Sequence, residues 1–258
     1  MVWDYIIIGS GFGGSVSALR LTEKGYKVLV LEKGRRLRTG DFPKTTWNLK
    51  RFFWAPYVGC RGLFKMTFLP NVTALSGVGV GGGSLVYANT LPIPKDPFFQ
   101  SPSWSSLADW KTELAQHYQT ALRMLGATRN PSLTYPDEVL QEVGRQIGRG
   151  DTFEHTNVAV YFGKKGETVP DPFFGGEGPD RTGCELCGGC MVGCNHGAKN
   201  TLARTTSTWR RSGAWRSRPT PKSPGCAPIP RAAMSWRPGM APGPSLPSMP
   251  ARPTGPPR

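Results

Sequence analysis

The chain has 258 residues, enough for one large domain or two small ones, with 38% apolar residues and a formal net charge of +15. The charge is unevenly placed: residues 204–258 hold nine Arg, one Lys, thirteen Pro and no Asp or Glu, and they contribute +10 of the total. Basicity belongs to that segment and not to the body of the chain, so no nucleic-acid partner is expected of residues 1–203.

The N-terminal MVWDYIIIGSGFGG has no basic n-region, and glycines interrupt its apolar run after a few residues, which is not the pattern of a secretion signal. No run approaches transmembrane length. Six cysteines, four of them clustered, fit a reducing compartment better than a disulfide framework, and the expected location is cytoplasmic.

The segment DYIIIGSGFGGSVSALRLTEKGYKVLVLEKG reads as strand, glycine turn, helix, strand. Tyr5 to Ile8 suits a buried parallel strand. Gly9, Gly11 and Gly14 then give G-x-G-x-x-G, and Gly25 ends the helix that follows. In such a unit the first glycine permits the turn, the second lets backbone approach a pyrophosphate, and the third allows close helix–strand packing. Val28 to Leu31 is the second strand and closes on Glu32, 23 residues after Gly9, where a carboxylate can accept hydrogen bonds from an adenosine ribose. A carboxylate there disfavours a 2′-phosphate and hence NADP. A first strand starting at residue 5 is typical of proteins that bind FAD through their N-terminus, although NAD fits the glycines equally well.

Between residues 42 and 69 stand Phe42, Trp47, Phe52, Phe53, Trp54, Tyr57, Phe64 and Phe68 among several Lys and Arg. Two roles fit: cover for an apolar pocket or a membrane-touching surface, and ordinary core with surface cover. Residues 77 to 94, GVGVGGGSLVYANTLPIP, carry Gly77, Gly79, Gly81, Gly82 and Gly83 before Ser84, a composition that suits neither helix nor ordinary strand. Close approach of backbone to a bulky, flat group accounts for it.

From Trp104, the residues Leu107, Trp110, Leu114, Tyr118, Leu122 and Leu125 recur at spacings of three and four, which predicts an amphipathic helix capped by Ser105 or Ser106. His117 lies off that stripe and is read as solvent-facing. A second helix is expected from Tyr135, with Pro136 in its first turn and Val139, Leu140, Val143 and Ile147 on one face. TNVAVYF, residues 156–162, reads as a strand, with His155 beside it in a structural role.

Cys184, Cys187, Cys190 and Cys194 are spaced C-x2-C-x2-C-x3-C. Short loops let thiolates converge on a metal, so an iron–sulfur cluster is one reading and a zinc site involving His196 a second. Asn195 stands where ferredoxin-type runs have Pro, and a third reading is a set of structural thiols or disulfides. A flavin-binding electron-transfer module with the cluster as relay would follow from the first.

The segment 204–258 has too few branched apolar residues to bury and too many prolines for helix or strand, and it is expected to be disordered. Its bias toward Arg, Pro, Ala, Gly, Ser and Trp is what an out-of-frame reading of GC-rich coding sequence gives. A natural disordered tail and a nucleic-acid-binding arm are the alternatives.

GSGFGGSVSALRLTEKGYKVLVLEKG, GVGVGGGSLVYANT, VPDPFFGGEGPDRTGC and CMVGCNHGAKNTL, in that order, resemble the bacterial cholesterol oxidase group of the glucose-methanol-choline (GMC) oxidoreductases, over roughly residues 3–203. The resemblance implies an α/β fold: an FAD-binding, Rossmann-like parallel sheet with helical insertions and the start of a substrate domain. It implies FAD, a sterol or other secondary alcohol as substrate, and O2 as acceptor. Gly9, Gly11, Phe12, Gly13 and Gly14 would line the pyrophosphate, with Glu32 on the ribose; Gly81, Gly82, Gly83 and Ser84 would run along the pyrophosphate and isoalloxazine. Many relatives place Asn three residues after that Ser, where this chain has Tyr87, with Asn89 two further on; both are candidates for flavin contact. The family's catalytic His and Asn belong to its C-terminal half, so no residue here is assigned as catalytic base, and the chain is expected to be a truncated, inactive fragment.

Overall fold

Tyr5–Ile8 and Val28–Leu31 form strands β1 and β2, joined by helix α1 over Phe12–Glu23, in a computed structural model that describes residues 2–176 and 178–205. The two strands pair in parallel with Tyr5 opposite Val28 and Ile8 opposite Leu31, the geometry that a strand–helix–strand crossover imposes. Ala18 of α1 lies buried on Val28 and Val30, with Ile7 and Leu21 packed around them. The helix ends as its sequence requires: Gly25 takes φ +87° and its N–H closes on the Thr22 carbonyl at 2.9 Å.

β1 departs from the expectation of a buried strand. Ile6 and Ile8 are 61% and 81% exposed, because among the described residues β1 pairs with β2 and with no further strand, and α1 covers one face. Parallel strands normally have both faces covered, so this apolar run is unsatisfied here. Val16 of α1 is also exposed, whereas Ser15 is buried.

The principal core lies elsewhere. Strands β3 (Phe64–Phe68) and β4 (Thr73–Gly77) form an antiparallel hairpin, and Phe64 joins Phe42, Leu63 and Leu85 in a buried cluster backed by Phe52 and Phe53. The aromatic segment thus divides. Phe42, Phe52, Phe53 and Phe64 serve the core, with Phe52 and Phe64 ring centroids 4.7 Å apart, whereas Trp47, Tyr57 and Phe68 stand in solvent.

Helix α2 spans Trp110–Met124 and not the longer run from Trp104. Asp109 caps it, its carboxylate accepting the Thr112 N–H at 3.3 Å, so Ser105 and Ser106 fall in the preceding turns and Leu107 is exposed. A capping carboxylate three residues before a free N–H satisfies an orphan donor and fixes the start. His117 faces solvent, as its position off the stripe requires.

Helix α3, Tyr135–Gln146, starts where expected, with a Thr134/Asp137 capping box and Pro136 in its first turn. Its apolar face, Val139, Leu140, Val143 and Ile147, is exposed and not packed.

The run 156–162 is strand-like only at Asn157–Val158, which pairs with Thr128–Arg129; Val158, Ala159 and Val160 are all buried, so no alternation holds. His155 is structural, its Nδ1 lying 2.8 Å from the Asn130 carbonyl oxygen. Leu202–Thr205 forms a short last helix, α4, so Arg204 and Thr205 are ordered residues and not the start of a disordered tail. The rest of that expected tail, 206–258, lies outside the described residues.

This distribution of burial is testable. Leu63→Ala, in the filled cluster, is expected to lower the urea-unfolding free energy by about 2–5 kcal/mol, and Leu140→Ala, on the bare face of α3, by less than about 0.5 kcal/mol. Equal effects of the two substitutions would contradict the packing described.

Candidate functional site

The two glycine runs, some seventy residues apart in sequence, meet at Ser10. Buried Ser10 gives its N–H and its hydroxyl to Glu32 Oε2, at 2.9 and 2.7 Å, and its Oγ accepts the Gly81 N–H at 3.0 Å. Glu32 Oε1 accepts the Gly34 N–H at 2.9 Å. One carboxylate therefore fixes the turn after β1, the loop after β2 and, through Ser10, the start of the second glycine run. A carboxylate offers about four acceptor positions, so three bonds leave capacity for a ligand hydroxyl.

Close approach explains the glycines. A Cβ on Gly14 would sit 2.0 Å from the Gly9 carbonyl oxygen, so α1 can pack on the turn only if residue 14 is glycine. A Cβ on Gly82 would come 2.8 Å from the Gly11 Cα, which shows how tightly the two runs abut. By contrast, Cβ atoms on Gly9, Gly11 and Gly13 would meet nothing within 4 Å and would project into open space. Above that space lies the N-terminus of α1, where Ser15 is the first N–H to bond back, to the Gly11 carbonyl at 2.8 Å. The N–H groups of Phe12, Gly13 and Gly14 thus lack intrahelical acceptors, and the helix dipole adds positive potential at that end. The arrangement can take an anionic group against bare backbone.

Several expected contacts lie differently. Gly82 to Leu85 form a single 3-10 turn. Ser84 is wholly buried, its Oγ donating to the Gly81 carbonyl at 2.7 Å and accepting the Leu202 N–H at 3.0 Å, so it braces the turn from behind. The Tyr87 hydroxyl donates to the Asn200 carbonyl at 2.9 Å, and its ring meets Phe12 edge-on; burial pushes its pKa upward. Asn89 is buried with φ 61°, an uncommon backbone for a side-chain-bearing residue, and faces the cysteine loop.

The four cysteines share a pocket of about 240 Å³ with Asn89, Val158, Val160, His196 and Lys199. The expectation of metal ligation is corrected here: among the described residues no three His, Cys, Asp or Glu side chains converge as a metal-holding group. Instead the thiols are spent separately. The Cys184 sulfur accepts the Leu186 N–H at 3.3 Å, Cys187 is exposed, and Cys190 shares the pocket wall with Asn89. Burial raises the Cys184 and Cys190 pKa values, although the Lys199 ammonium opposes this at Cys190. His196 faces Glu185 at 3.3 Å, and Cys60 stands apart in a short strand paired with Trp54–Ala55.

Lys199 had no pattern in the sequence to mark it. Wholly buried, its Nζ donates to the carbonyls of Leu85 at 3.0 Å, Tyr87 at 2.6 Å and Cys190 at 2.8 Å, and lies 4.5 Å from the Tyr87 ring centre. Three donors meet three acceptors, so the second glycine run is tied to the cysteine loop. Among the described residues no carboxylate forms an ion pair with it, and burial pulls its pKa down to about 8.

Comparison with known proteins places these features in a family context. The family described as NAD(P)-binding Rossmann-like domain matches residues 7–49. A cholesterol oxidase of Mycobacterium tuberculosis is 56% identical over 207 residues, 78% of this chain and 36% of its own length. A cholesterol oxidase of Acinetobacter baumannii is 52% identical over 204 residues, again 78% of this chain and 37% of its own. A long-chain-alcohol oxidase of Arabidopsis thaliana is 29% identical, over 80% of this chain and 24% of its own length. The chain thus spans little more than a third of the cholesterol oxidases it matches. Among the described residues no helix is long and apolar enough to cross a membrane.

The depressed Lys199 pKa carries a pH signature. Between about pH 8 and the ordinary lysine value of 10.5, the unfolded chain holds a proton that the folded chain has released, so the stability contributed by this side chain rises with pH over that window. Urea unfolding of the chain and of Lys199→Met across that range should show the unsubstituted chain gaining on the variant. A constant difference between the two would refute the assignment.

Proposed function

We propose that this chain, which corresponds over most of its length to the N-terminal part of the GMC-type cholesterol oxidases, holds FAD in the cradle between its two glycine runs. The enzyme class is an FAD-dependent oxidoreductase; the substrate proposed is a secondary alcohol, most simply a 3-hydroxysteroid such as cholesterol. Bound FAD supplies hydride acceptance at N5, with O2 reoxidising the reduced flavin. The observation that carries the reading is the junction at Ser10, which brings Glu32, the α1 N-terminus and Gly81–Gly83 around one open space.

Each residue has a task in that reading. The N–H groups at Phe12, Gly13 and Gly14 donate to the pyrophosphate, and bare Gly9 and Gly11 let it approach. Glu32, oriented by Ser10 and Gly34, accepts from the ribose and repels a 2′-phosphate. Gly81, Gly82 and Gly83 offer backbone toward the isoalloxazine, with Ser84 bracing them and Phe12 and Tyr87 forming a wall. Asn89 serves from the pocket side. The exposed aromatic residues Trp47, Tyr57 and Phe68, among Lys and Arg, are suited to touching a membrane from which a sterol is taken. No described residue of the chain is assigned to abstract the substrate proton, and the chain alone is expected to bind cofactor without turning over sterol.

Titration of FAD with the full 258-residue chain, read by flavin fluorescence quenching, is expected to saturate. Gly11→Val, which puts a side chain into the open space, should weaken binding by about tenfold or more, equivalent to about 1.4 kcal/mol. Glu32→Ala should weaken it similarly, and NADP should not compete. FAD binding that is unchanged in Gly11→Val would remove the cradle assignment, and peroxide formation on adding cholesterol would overturn the inactivity of the isolated chain.

A further inference from the structure

The cysteine pocket is larger than packing alone requires, and its thiols are free. Cys184 and Cys194 both pack on buried Val158, Val160 and Ala198, and Cys190 lines the same cavity with them. A cavity of about 240 Å³ admits hydrogen peroxide, a molecule little bigger than a water with its share of about 30 Å³ of liquid.

Cys190 is also mechanically connected. Its carbonyl accepts from Lys199, whose other two protons hold the Leu85 and Tyr87 carbonyls. Asn89, which lines the same cavity, is held at φ 61°, and its carbonyl accepts the Ala159 N–H at 2.8 Å. Any displacement of Cys190 therefore reaches residues 85–87 through Lys199.

We propose that this pocket is a dithiol redox site, in which hydroperoxide joins Cys190 to Cys184 or Cys194 and the disulfide shifts residues 82–89 through Lys199. In the first step one thiol gives up its proton and its sulfur attacks a peroxide oxygen; the O–O bond breaks, and the leaving hydroxide takes that proton and departs as water, leaving a sulfenic acid. In the second, the neighbouring thiol attacks that sulfur, the S–S bond forms and a second water leaves. Two thiols lose two hydrogens, and one H2O2 becomes two H2O. Cys184, Cys190 and Cys194 line one cavity, and a disulfide between two of them needs a Cα separation of about 4.4–6.8 Å. Burial holds these thiols protonated, so oxidation is slow and calls for excess oxidant. The consequence for cofactor binding rests on the FAD reading above; the disulfide and the loop shift do not.

The test uses the full chain without FAD, reduced and then exposed to excess H2O2. Non-reducing peptide mapping should show the loss of two hydrogens and a cross-link from Cys190 to Cys184 or Cys194. Amide hydrogen exchange at residues 82–89 should accelerate by about threefold or more. Lys199→Met should form the same disulfide with a reduced exchange response; should that variant not fold, Cys190→Ser must abolish both the cross-link and the response. Cross-links confined to Cys60, Cys187 or Cys226, or oxidation to sulfinic acid without cross-linking, overturn the site. A correct disulfide with unchanged exchange at 82–89 overturns the coupling. Failure of FAD to bind the reduced chain would sink the cofactor reading and leave both results standing.

Discussion

The Glu32 carboxylate, acting through Ser10, is the constraint around which this structure is organised. Left alone, two glycine-rich segments would be among the most costly parts of a chain to order, since glycine gives up more backbone freedom than any other residue. Here a single carboxylate accepts from Ser10 and Gly34, and Ser10 in turn accepts from Gly81. Hydrogen bonds to a charged acceptor contribute about 1.5–3 kcal/mol each, enough to hold the runs against one another with almost no side-chain contact between them. Bare backbone in register is what a dinucleotide cradle needs, and the absence of side chains at Gly9, Gly11 and Gly13 leaves the space that a cofactor would take.

A second tie holds the opposite side. Segment 199–202 reaches back to the second glycine run through Lys199, the Asn200 carbonyl and the Leu202 N–H, and it braces Ser84, Leu85 and Tyr87. Arg181, fully buried, fixes the Asn200 side chain at 2.7 Å. The loop presented to a cofactor is therefore held from behind by the segment that follows the cysteines. This gives the cysteine run a purpose in the architecture that does not depend on metal: it positions Cys190 as one of the three acceptors of a buried ammonium.

Stability is distributed unevenly over the fold. The cluster of Phe42, Leu63, Phe64 and Leu85 is filled, whereas β1 and α3 leave Ile6, Ile8, Leu140 and Ile147 in water. Burying one such side chain contributes about 1.5–3 kcal/mol, so these faces represent stabilisation not realised among the described residues. The relatives are nearly three times as long as the matched segment, and their additional sequence is where cover for such faces would be sought.

Local rules made much of this legible in the sequence. The G-x-G-x-x-G turn, the Gly25 stop, the strand limits of β1 and β2, and the start of α3 at its capping box all follow from constraints acting within about five residues. Where two local signals competed, as with Ser105, Ser106 and Asp109, the carboxylate took the cap and the helix began later than the apolar spacing suggested. The sequence by itself determined which segments turn, which are helical and which backbone must be bare. Only the tertiary structure decided that Ser10 reaches a residue 71 positions away, that Lys199 spans more than a hundred residues to reach Leu85 and Tyr87, and that four closely spaced thiols line one pocket without converging as metal ligands. Such bonds depend on where distant segments come to rest, and that position leaves no period, spacing or composition to read.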